Sequence, residues 1–599
     1  MRRRVLRRSA AAAAVCAVAA AALTAAALAG GTGAGFTTSQ GSMLRAVAPG
    51  STTKPIITVG ETLPGGYRFE AIPDGISVNP RGKGRVDLFV NHETSTVPFP
   101  YITTSPKTLY SQNDFDNAQV SLLSLSQHSM GVLQGRYVIG SHENYQRFCS
   151  NYLANEKEGF DRPLLFTNEE AIDWVNRSGR AWPATIGAPE ARQAGVVVAH
   201  DVRTGQTRPI WGMGRHNHEN SVALPGFGKP VLLSGDDTFV SNPAQSQLYA
   251  YIADDSHAVW NDGGDLYAFV ADPPAVNDYY DFGVGSTASI SGRFVRVPDF
   301  ADDPAKSIAH GRRADGTDVM AADFGYPAPP NDGTWQRDPS NVGIDGPQWV
   351  LEHWGDLNNV FQFVRIEDVA YDKRPNPDGD VVVYLADSGR GSTSTSGNAF
   401  ASTNGRVWRM VVDGDDPTVV KSLSILVEGD NDVLKKTTEI HQPDNLETTA
   451  NGSLLVQEDP GSGQQFAAGD PAAIPARVWQ VHLGTANPLV ADSVAKRVVA
   501  EVDQSADEGP TDVDPPDQPP IPAPAFPLSP GNIGSWESSG IVDVSHVFGD
   551  GAFLATVQAH TLWVEQAPGD LDTAAHVASP DFTYKREGGQ LVLLRVPGA

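Results

Sequence analysis

Acidic side chains gather in short groups where apolar runs end. The groups are Asn91-His92-Glu93, Glu169-Glu170, Asp236-Asp237, Glu367-Asp368, Asp444-Asn445 and Glu458-Asp459. Adjacent carboxylates repel one another unless water or a cation lies between them, and Ca²⁺ binds about six to eight oxygen ligands of this kind. One such pair is usually a solvated turn, but the recurrence of pairs at strand ends predicts a shared cation site.

The densest group of reactive side chains is the segment GRHNHEN, residues 214–220. It supplies Arg215 for an anionic substrate, and an extended strand would place His216 and His218 on one face, as metal binding or proton transfer requires. A surface loop with hydrogen-bonded histidines is the structural alternative. The sequence lacks a His-x-x-Glu-His or Cys-x-x-Cys zinc motif, a Gly-x-Ser-x-Gly nucleophile motif, a P-loop and a dinucleotide fingerprint.

Short β-type runs recur along the chain between clusters of Gly, Pro, Asp and Asn. The runs are residues 86–90, 196–199, 231–234, 381–384, 454–457 and 591–594. Segments with helical periodicity are nearly absent, and NEEAIDWVN (168–176) predicts one short helix. The pattern indicates an all-β fold. A β-propeller is favoured over a β-sandwich because one sandwich does not accommodate a chain of this length.

The first 29 residues predict an export signal. Five arginines precede an alanine-rich apolar run that ends at a small-x-small cleavage site, Ala27-Leu28-Ala29. The run is too short and too rich in alanine for a strong membrane anchor. The Arg7-Arg8 pair leaves both the Sec and the Tat route open. We therefore expect a secreted protein in which residues 30–599 form a single β-propeller domain.

The composition is strongly acidic, since 44 Lys and Arg against 71 Asp and Glu give a net charge of −27. This charge disfavours nucleic acid and anionic membranes as partners, and we expect a monomer that acts on a small molecule. Cys149 is the only cysteine after residue 29, so we expect no intrachain disulfide. Residues 505–530 are rich in Pro and acidic residues and predict a surface loop, whereas residues 540–599 predict strands that close the ring.

Several segments resemble the PhoX-type alkaline phosphatases. Residues 214–237, followed by 246–255 and 264–272, resemble the family's signature region, with Gly-Arg-x-x-His-Glu, Gly-Asp-Asp and Leu-Tyr patterns in that order. The other similar segments are Asn91-His92-Glu93, LFTNEE (165–170), RIED (365–368) and HQPDNL (441–446). All of them follow the family's order along the chain, which makes the resemblance specific although each segment is short.

The resemblance implies a six-bladed β-propeller with long loop insertions that hydrolyses small phosphate esters, with iron and calcium in its central channel. The metal ligands it implies are Asn168, Glu169, Glu170, Glu219, Asp237, Glu367, Asp444 and Asp459. Arg365 would be the phosphate clamp, because a guanidinium group pairs with two phosphate oxygens, and Arg215 and His218 are further catalytic candidates.

The sequence departs from the family pattern at Asn168, which stands where the family has an iron-binding cysteine. An amide oxygen is a hard ligand that suits calcium better than iron. Two other functions therefore stay open: a propeller with calcium alone that acts on another ester, a lactone or a phytase-like substrate, and a non-catalytic calcium-stabilised propeller that binds a partner.

Overall fold

The computed structural model describes most of the chain, in fourteen segments. They are residues 34–70, 72–93, 118–171, 174–176, 191–238, 243–272, 276–329, 345–389, 404–430, 438–460, 474–484, 495–503, 536–560 and 587–599. The regular structure in them is dominated by β-strands in antiparallel sheets. The all-β class predicted from the sequence is confirmed.

The first two large sheets are four-stranded. One contains β3 (Pro73–Gly82), β4 (Arg85–His92), β5 (Gln119–Ser126) and β6 (Val132–Ile139) in that order. The other contains β7 (Phe148–Ala154), β8 (Leu164–Glu169), β11 (Val197–Asp201) and β12 (Gln206–Ile210) in that order. Two small ribbons accompany the sheets, formed by β9 (Trp174–Asn176) with β10 (Ala191–Gln193) and by β18 (Lys306–Ser307) with β19 (Arg312–Arg313).

A nine-stranded sheet consists of two meanders joined at their outer edges. The first meander contains β13 (His218–Ala223), β14 (Val231–Asp236), β15 (Leu248–Ile252), β16 (Asp265–Ala271) and β17 (Ser289–Arg296). The second contains β20 (Ile366–Tyr371), β21 (Val381–Asp387), β22 (Arg406–Val412) and β23 (Val419–Glu428). Strands β17 and β23 pair with each other and join the two.

The last two sheets combine strands from both ends of the chain. One contains β24 (Pro443–Thr448), β25 (Ser453–Glu458), β26 (Arg477–His482) and β27 (Lys496–Val502), with β1 (Leu44–Ala46) added at the edge. The other contains β28 (Glu537–Asp543), β29 (Ala552–His560) and β30 (Glu587–Arg595), with β2 (Thr52–Thr58) added beside β30. Pairing between chain ends ties the N-terminal segment to the C-terminal strands.

The first strands of the large meanders surround one axis. Strands β3, β7, β13, β20, β24 and β28, which we call the inner strands, contact one another in this cyclic order, and β28 contacts β3. Apolar side chains fill the space between neighbouring sheets. Leu455 packs in one cluster with Phe553, and Leu88 in another with Leu591. The arrangement is propeller-like, with the inner strands lining a channel.

Helices are few and short in the described part of the chain. They are α1 (Ser256–Trp260), α2 (Pro347–Leu357) and α3 (Ser545–Phe548), with single 3₁₀ turns at Ser141–Glu143, Glu156–Glu158, Trp211–Met213, Tyr279–Phe282 and Ala321–Phe324. The prediction of a helix at 168–176 is wrong, because β8 extends to Glu169 and residues 174–176 form β9. Helix α2 was not predicted; it starts with Pro347 at its first position and buries Trp349, Val350 and Leu351.

Two segments singled out in the sequence lie outside the described residues, namely the predicted export signal (1–29) and the Pro-rich acidic segment (505–530). None of the helices in the described segments has the length and apolar character that crossing a membrane requires.

The buried side chain of His200 on β11 should make stability depend on pH. Burial lowers its pKa from 6.5 to about 4, and its Nδ1 lies 3.0 Å from the Thr207 hydroxyl. The unfolded chain therefore takes up a proton near pH 6.5 that the folded chain does not, so the free energy of unfolding falls as pH drops from about 6.5 to about 4. We expect this group to account for on the order of 2–3 kcal/mol of the decrease.

Urea unfolding of the wild type and of His200→Gln across this pH range measures the effect. The variant should lose less stability on acidification. The carboxylates contribute equally to the pH dependence of both proteins, so the difference between the two curves reports His200. Parallel curves for the two proteins would contradict the prediction.

Candidate metal centre

Each inner strand begins with a side chain that can bind a metal ion. These residues are Asp74 on β3, Cys149 on β7, Glu219 on β13, Glu367 on β20, Asp444 on β24 and Glu537 on β28, and each is the first or second residue of its strand. Because the inner strands form a closed ring, residues at the same position of each strand converge at one end of the channel.

A second set of acidic side chains follows the strand next to three of the inner strands. Glu93, Glu170 and Asp459 come directly after β4, β8 and β25. Antiparallel pairing places the end of each of these strands beside the start of its inner strand, as the pairs Phe148 with Glu169 and Pro443 with Glu458 show. The second set therefore reaches the same end of the channel.

The two sets form four overlapping groups, in each of which the ligand atoms lie within 4.8 Å of one another. The groups are Asp74 with Glu93 and Cys149, Cys149 with Glu170 and Glu219, Glu219 with Glu367 and Asp444, and Asp444 with Asp459 and Glu537. Every group shares a member with the next. The chain thus holds eight carboxylates and one thiol in a continuous row.

The row carries far more potential negative charge than the protein compensates. Burial raises the pKa of Glu219, and the neighbouring carboxylates, Glu170 first among them, raise it further. Burial and nearby acids likewise raise the pKa values of Glu170, Asp444 and Glu537. The pKa of Asp74 rises to about 6, chiefly through burial. Bound cations would return these groups to the ionised state.

Short hydrogen bonds fix the orientation of several ligand candidates. The Ser150 hydroxyl donates to Glu219 Oε1 at 2.9 Å, and the Ser388 hydroxyl donates to Glu367 Oε1 at 2.6 Å. The Gln558 amide donates to Glu93 Oε1 at 2.8 Å. These partners hold the carboxylates in place, as the supporting residues of metal sites do.

Among the described residues, several buried oxygens at this end of the channel accept no hydrogen bond. They are Asp444 Oδ1, Gln457 Oε1 and Gln558 Oε1. The side chains of Gln457 and Gln558 are at most 1% exposed, and that of Asp444 is 7% exposed. Buried acceptors without a donor are costly unless a cation or water completes them, and carboxylate and amide oxygens are the ligands that calcium prefers.

Arg365 lies at the edge of this row and is held by two acids. Its guanidinium group makes a bidentate pair with Asp237, through Nε to Oδ1 at 2.6 Å and Nη2 to Oδ2 at 2.8 Å. Its Nη2 also lies 2.7 Å from Glu367 Oε1. The structure therefore places Asp237, predicted as a metal ligand, beside the predicted clamp and outside the four groups.

Glu169 and Asn168, two further predicted ligands, bond to the protein itself. Glu169 accepts from the backbone amides of Gln146 at 2.8 Å and Val196 at 3.2 Å. Asn168 donates to the carbonyl of Ser150 at 3.0 Å and accepts from the Ser221 hydroxyl at 2.8 Å. Neither residue is a member of the four groups.

Arg215 and His218, the further catalytic candidates, lie away from the row. Arg215 is completely buried, approaches Asp318 Oδ1 at 3.4 Å and stacks on Trp211 with 4.7 Å to the ring centroid. His218 contacts the Ser234 hydroxyl at 2.8 Å through Nδ1. Since successive residues of a strand face opposite sides, the side chain of His218 is turned away from the channel that Glu219 faces.

The structure thus brings together Glu170, Glu219, Glu367, Asp444 and Asp459 from the predicted set. It adds four residues that were not among the predicted ligands, namely Asp74, Glu93, Cys149 and Glu537. Glu93 was visible in the sequence as part of an acidic group. Asp74 and Glu537 are single acids before Gly75 and Ser538, and only the common position at the start of an inner strand reveals them.

Comparison with known proteins gives a family and a fold. Residues 176–474 match the family model described as alkaline phosphatase PhoX. The structure of PhoX from Pseudomonas fluorescens, in complex with vanadate, a transition state analogue, has a TM-score of 0.50 to this chain at 16% identity and covers 94% of this chain and 99% of that chain. At this identity the likeness shows the fold alone. No curated protein sequence gives a significant match.

Two sialidase structures are more distant. The NanB sialidase of Streptococcus pneumoniae has a TM-score of 0.34 at 7% identity and covers 88% of this chain and 69% of that chain. The intramolecular trans-sialidase of Ruminococcus gnavus has a TM-score of 0.27 at 10% identity, with coverages of 87% and 94%. Neither similarity is high enough to indicate a function for this chain.

Removal of divalent cations should destabilise the protein, because the buried carboxylates would then repel one another in a medium of low dielectric constant. We expect EDTA to lower the thermal midpoint on the order of 10 °C, and added calcium to restore it. Differential scanning calorimetry with and without the chelator measures the shift.

A matched pair of variants locates the effect. Asp444→Asn should shrink the shift, whereas Asp378→Asn, at an exposed position outside the row, should leave it unchanged. An EDTA-independent midpoint in the wild type would contradict the presence of cations at this end of the channel.

Proposed function

We propose that this chain, which belongs to the PhoX family of alkaline phosphatases through residues 176–474, is a secreted hydrolase of small phosphate esters that uses calcium and iron. The observation that supports the metal dependence is the row of eight carboxylates and one thiol at one end of the channel. Bound cations would neutralise the phosphate and stabilise the charge that develops on its oxygens during ester cleavage.

The donor atoms of the row suit the two ions to different degrees. The carboxylates, together with the unpartnered oxygens of Asp444, Gln457 and Gln558, fit calcium, which takes oxygen ligands in a flexible geometry. Iron is retained better where a softer donor is present, and the only such donor in the four groups is the thiol of Cys149, since the amide oxygen of Asn168 is a hard donor and already accepts from Ser221. Many side chains of the row are therefore suitable ligands for calcium, and fewer are suitable ligands for iron.

Arg365 is the residue best placed to bind the phosphate group. It is 3% exposed, and its guanidinium touches Glu367, a member of the row, so a phosphate bound to the cations would lie within its reach. The bidentate pair with Asp237 fixes the plane of the guanidinium. Asp237 is thus a positioning residue for the clamp, and the alternative is that it binds a metal ion itself.

We further propose that the propeller has six blades and that residues 30–599 form one domain. The six inner strands and their cyclic contacts support this count, with the nine-stranded sheet contributing two blades through the β17–β23 pair. The pairing of β2 with β30 would close the ring. The strong negative charge supports a protein that acts as a monomer on small esters, without nucleic acid or membrane partners.

The function is tested by metal analysis of the secreted protein together with an aryl phosphate assay. We expect calcium and iron in the purified protein and turnover that EDTA abolishes. Arg365→Lys should lower kcat/KM about 100-fold, because a lysine cannot make the bidentate contact. The matched control is Arg406→Lys, a buried arginine paired with Glu428 at 3.0 Å outside the row, which should keep its turnover.

Two outcomes would redirect the assignment. Calcium alone with no turnover on phosphate esters would favour a calcium propeller with another ester as substrate. Turnover equal in the wild type and in Arg365→Lys would show that Arg365 is not the clamp.

Asp237→Asn separates positioning from metal binding. If Asp237 positions Arg365, the variant keeps its metal content and loses about tenfold in kcat/KM, mainly through KM, because the guanidinium loses its charged partner. If the metal content falls instead, Asp237 is a ligand as the sequence suggested. Plasma mass spectrometry and steady-state kinetics on the same preparation distinguish the two roles.

A further inference from the structure

A β-bulge occurs at the same place in five of the six inner strands. In each of these strands, a member of the row and the residue after it lie opposite a single residue of the neighbouring strand. A bulge interrupts the alternation of faces and re-aims side chains, so the second residue of each pair is also available to the channel. These second residues, which we call the second layer, are Gly75, Ser150, Asn220, Asp368 and Asn445.

Asn445 joins strands on opposite sides of the channel. Its Oδ1 accepts from the backbone amide of Gly540 on β28 at 2.7 Å, and its Nδ2 donates to Ser150 Oγ on β7 at 3.1 Å. Strands β24 and β7 are not neighbours in the cyclic order of the inner strands, so the second bond crosses the channel. The side chains of Asn445 and Ser150 are at most 3% exposed, and water therefore does not replace these bonds.

The direction of these hydrogen bonds is set by the backbone. A backbone N–H only donates, so Gly540 fixes Asn445 with its Oδ1 towards β28 and its Nδ2 towards Ser150. Ser150 Oγ accepts from that nitrogen and has one proton, which it donates to Glu219 Oε1 at 2.9 Å. Glu219 belongs to two of the four groups of the row. The chain of bonds therefore ends on a carboxylate that two candidate cation sites share.

We propose that Asn445 is a positioning residue for Glu219. Acting through the Ser150 hydroxyl, it holds one carboxylate oxygen of Glu219 and thereby turns the carboxylate to the orientation in which it binds a cation. The alternative is a purely structural role, in which Asn445 only ties β24 to β28 through Gly540. The proposal rests on the proposed metal dependence of the chain, but not on its phosphatase activity.

Calcium binding to the chelator-washed secreted protein, measured by isothermal titration calorimetry, tests the proposal. Asn445→Ala should raise the apparent Kd for calcium about tenfold, as the loss of a partner of a metal ligand commonly does, and Ser150→Ala should do the same. The double variant should bind calcium no more weakly than Ser150→Ala, because either change interrupts the same chain of bonds. Asn445→Leu, which fills the volume without polar atoms, replaces the alanine variant if that protein does not fold.

Asn220→Ala is the matched control, because Asn220 holds the equivalent position of the bulge in β13. It is a buried asparagine of the second layer whose Nδ2 donates to Asp368 Oδ1 at 2.5 Å, and Asp368 is not a member of the row. This variant should lose thermal stability as Asn445→Ala does, and it should keep the wild-type Kd for calcium. A purely structural role for Asn445 would make the two variants bind calcium equally.

An unchanged Kd in a folded Asn445→Ala protein, losses that add in the double variant, or an equal loss in Asn220→Ala would overturn the proposal. Failure of the proposed function gives a different pattern. Weaker calcium binding by Asn445→Ala, in a protein whose wild type does not hydrolyse phosphate esters, would leave the positioning role in place and remove the phosphatase function. A wild type that binds no calcium would remove the metal dependence and overturn both proposals.

Discussion

Mutual repulsion among buried carboxylates is the constraint on which the centre of this structure depends. Two unit charges about 5 Å apart interact by roughly 3 kcal/mol at an effective dielectric constant of about 20. Four overlapping groups contain several such pairs, and a few of them equal the net stability of a typical domain, about 5–15 kcal/mol. The ring of inner strands can hold this row only if protons or cations compensate it. In the proposed function, the phosphatase chemistry and the stability of the fold both require cations in this row.

The adjacent acid pairs of the sequence combine two different roles. In Glu169-Glu170, the first residue accepts backbone amides of neighbouring strands, and the second enters the row. The same division holds for Glu458 and Asp459, since Glu458 accepts the amides of His441 at 3.0 Å and Arg477 at 3.0 Å. The first acid is the last residue of the second strand of a sheet, and its carboxylate accepts hydrogen bonds from backbone amides of neighbouring segments. The second acid, one residue on, reaches the other face and the channel.

The two roles within each acid pair explain why the sequence predicted the shared site but not all of its members. Apolar runs between turn residues predicted strands correctly because both features are local, as in β14 and β21. The acid pairs predicted a shared site, but the choice between the two members depends on strand ends and pairing, which are not visible locally. The predicted ligands therefore included Glu169, which lies outside the four groups, and left out Asp74, which lies in one of them. Arg215 and His218 were selected for their chemistry, and only the tertiary contacts with Asp318 and Ser234 place them away from the row.

Arg365, the proposed clamp, and the row are coupled because they share a carboxylate. Glu367 Oε1 contacts Arg365 at 2.7 Å, and the same side chain forms a group with Glu219 and Asp444. A positive charge placed among these acids weakens the hold of Glu367 on the guanidinium, which becomes more available to an anion, while Asp237 keeps it in position. Linkage is reciprocal, so an anion bound to Arg365 must strengthen cation binding by the same free energy. In the proposed function, affinity for the phosphate ester and affinity for the cations are therefore properties of one electrostatic unit rather than of two adjacent sites.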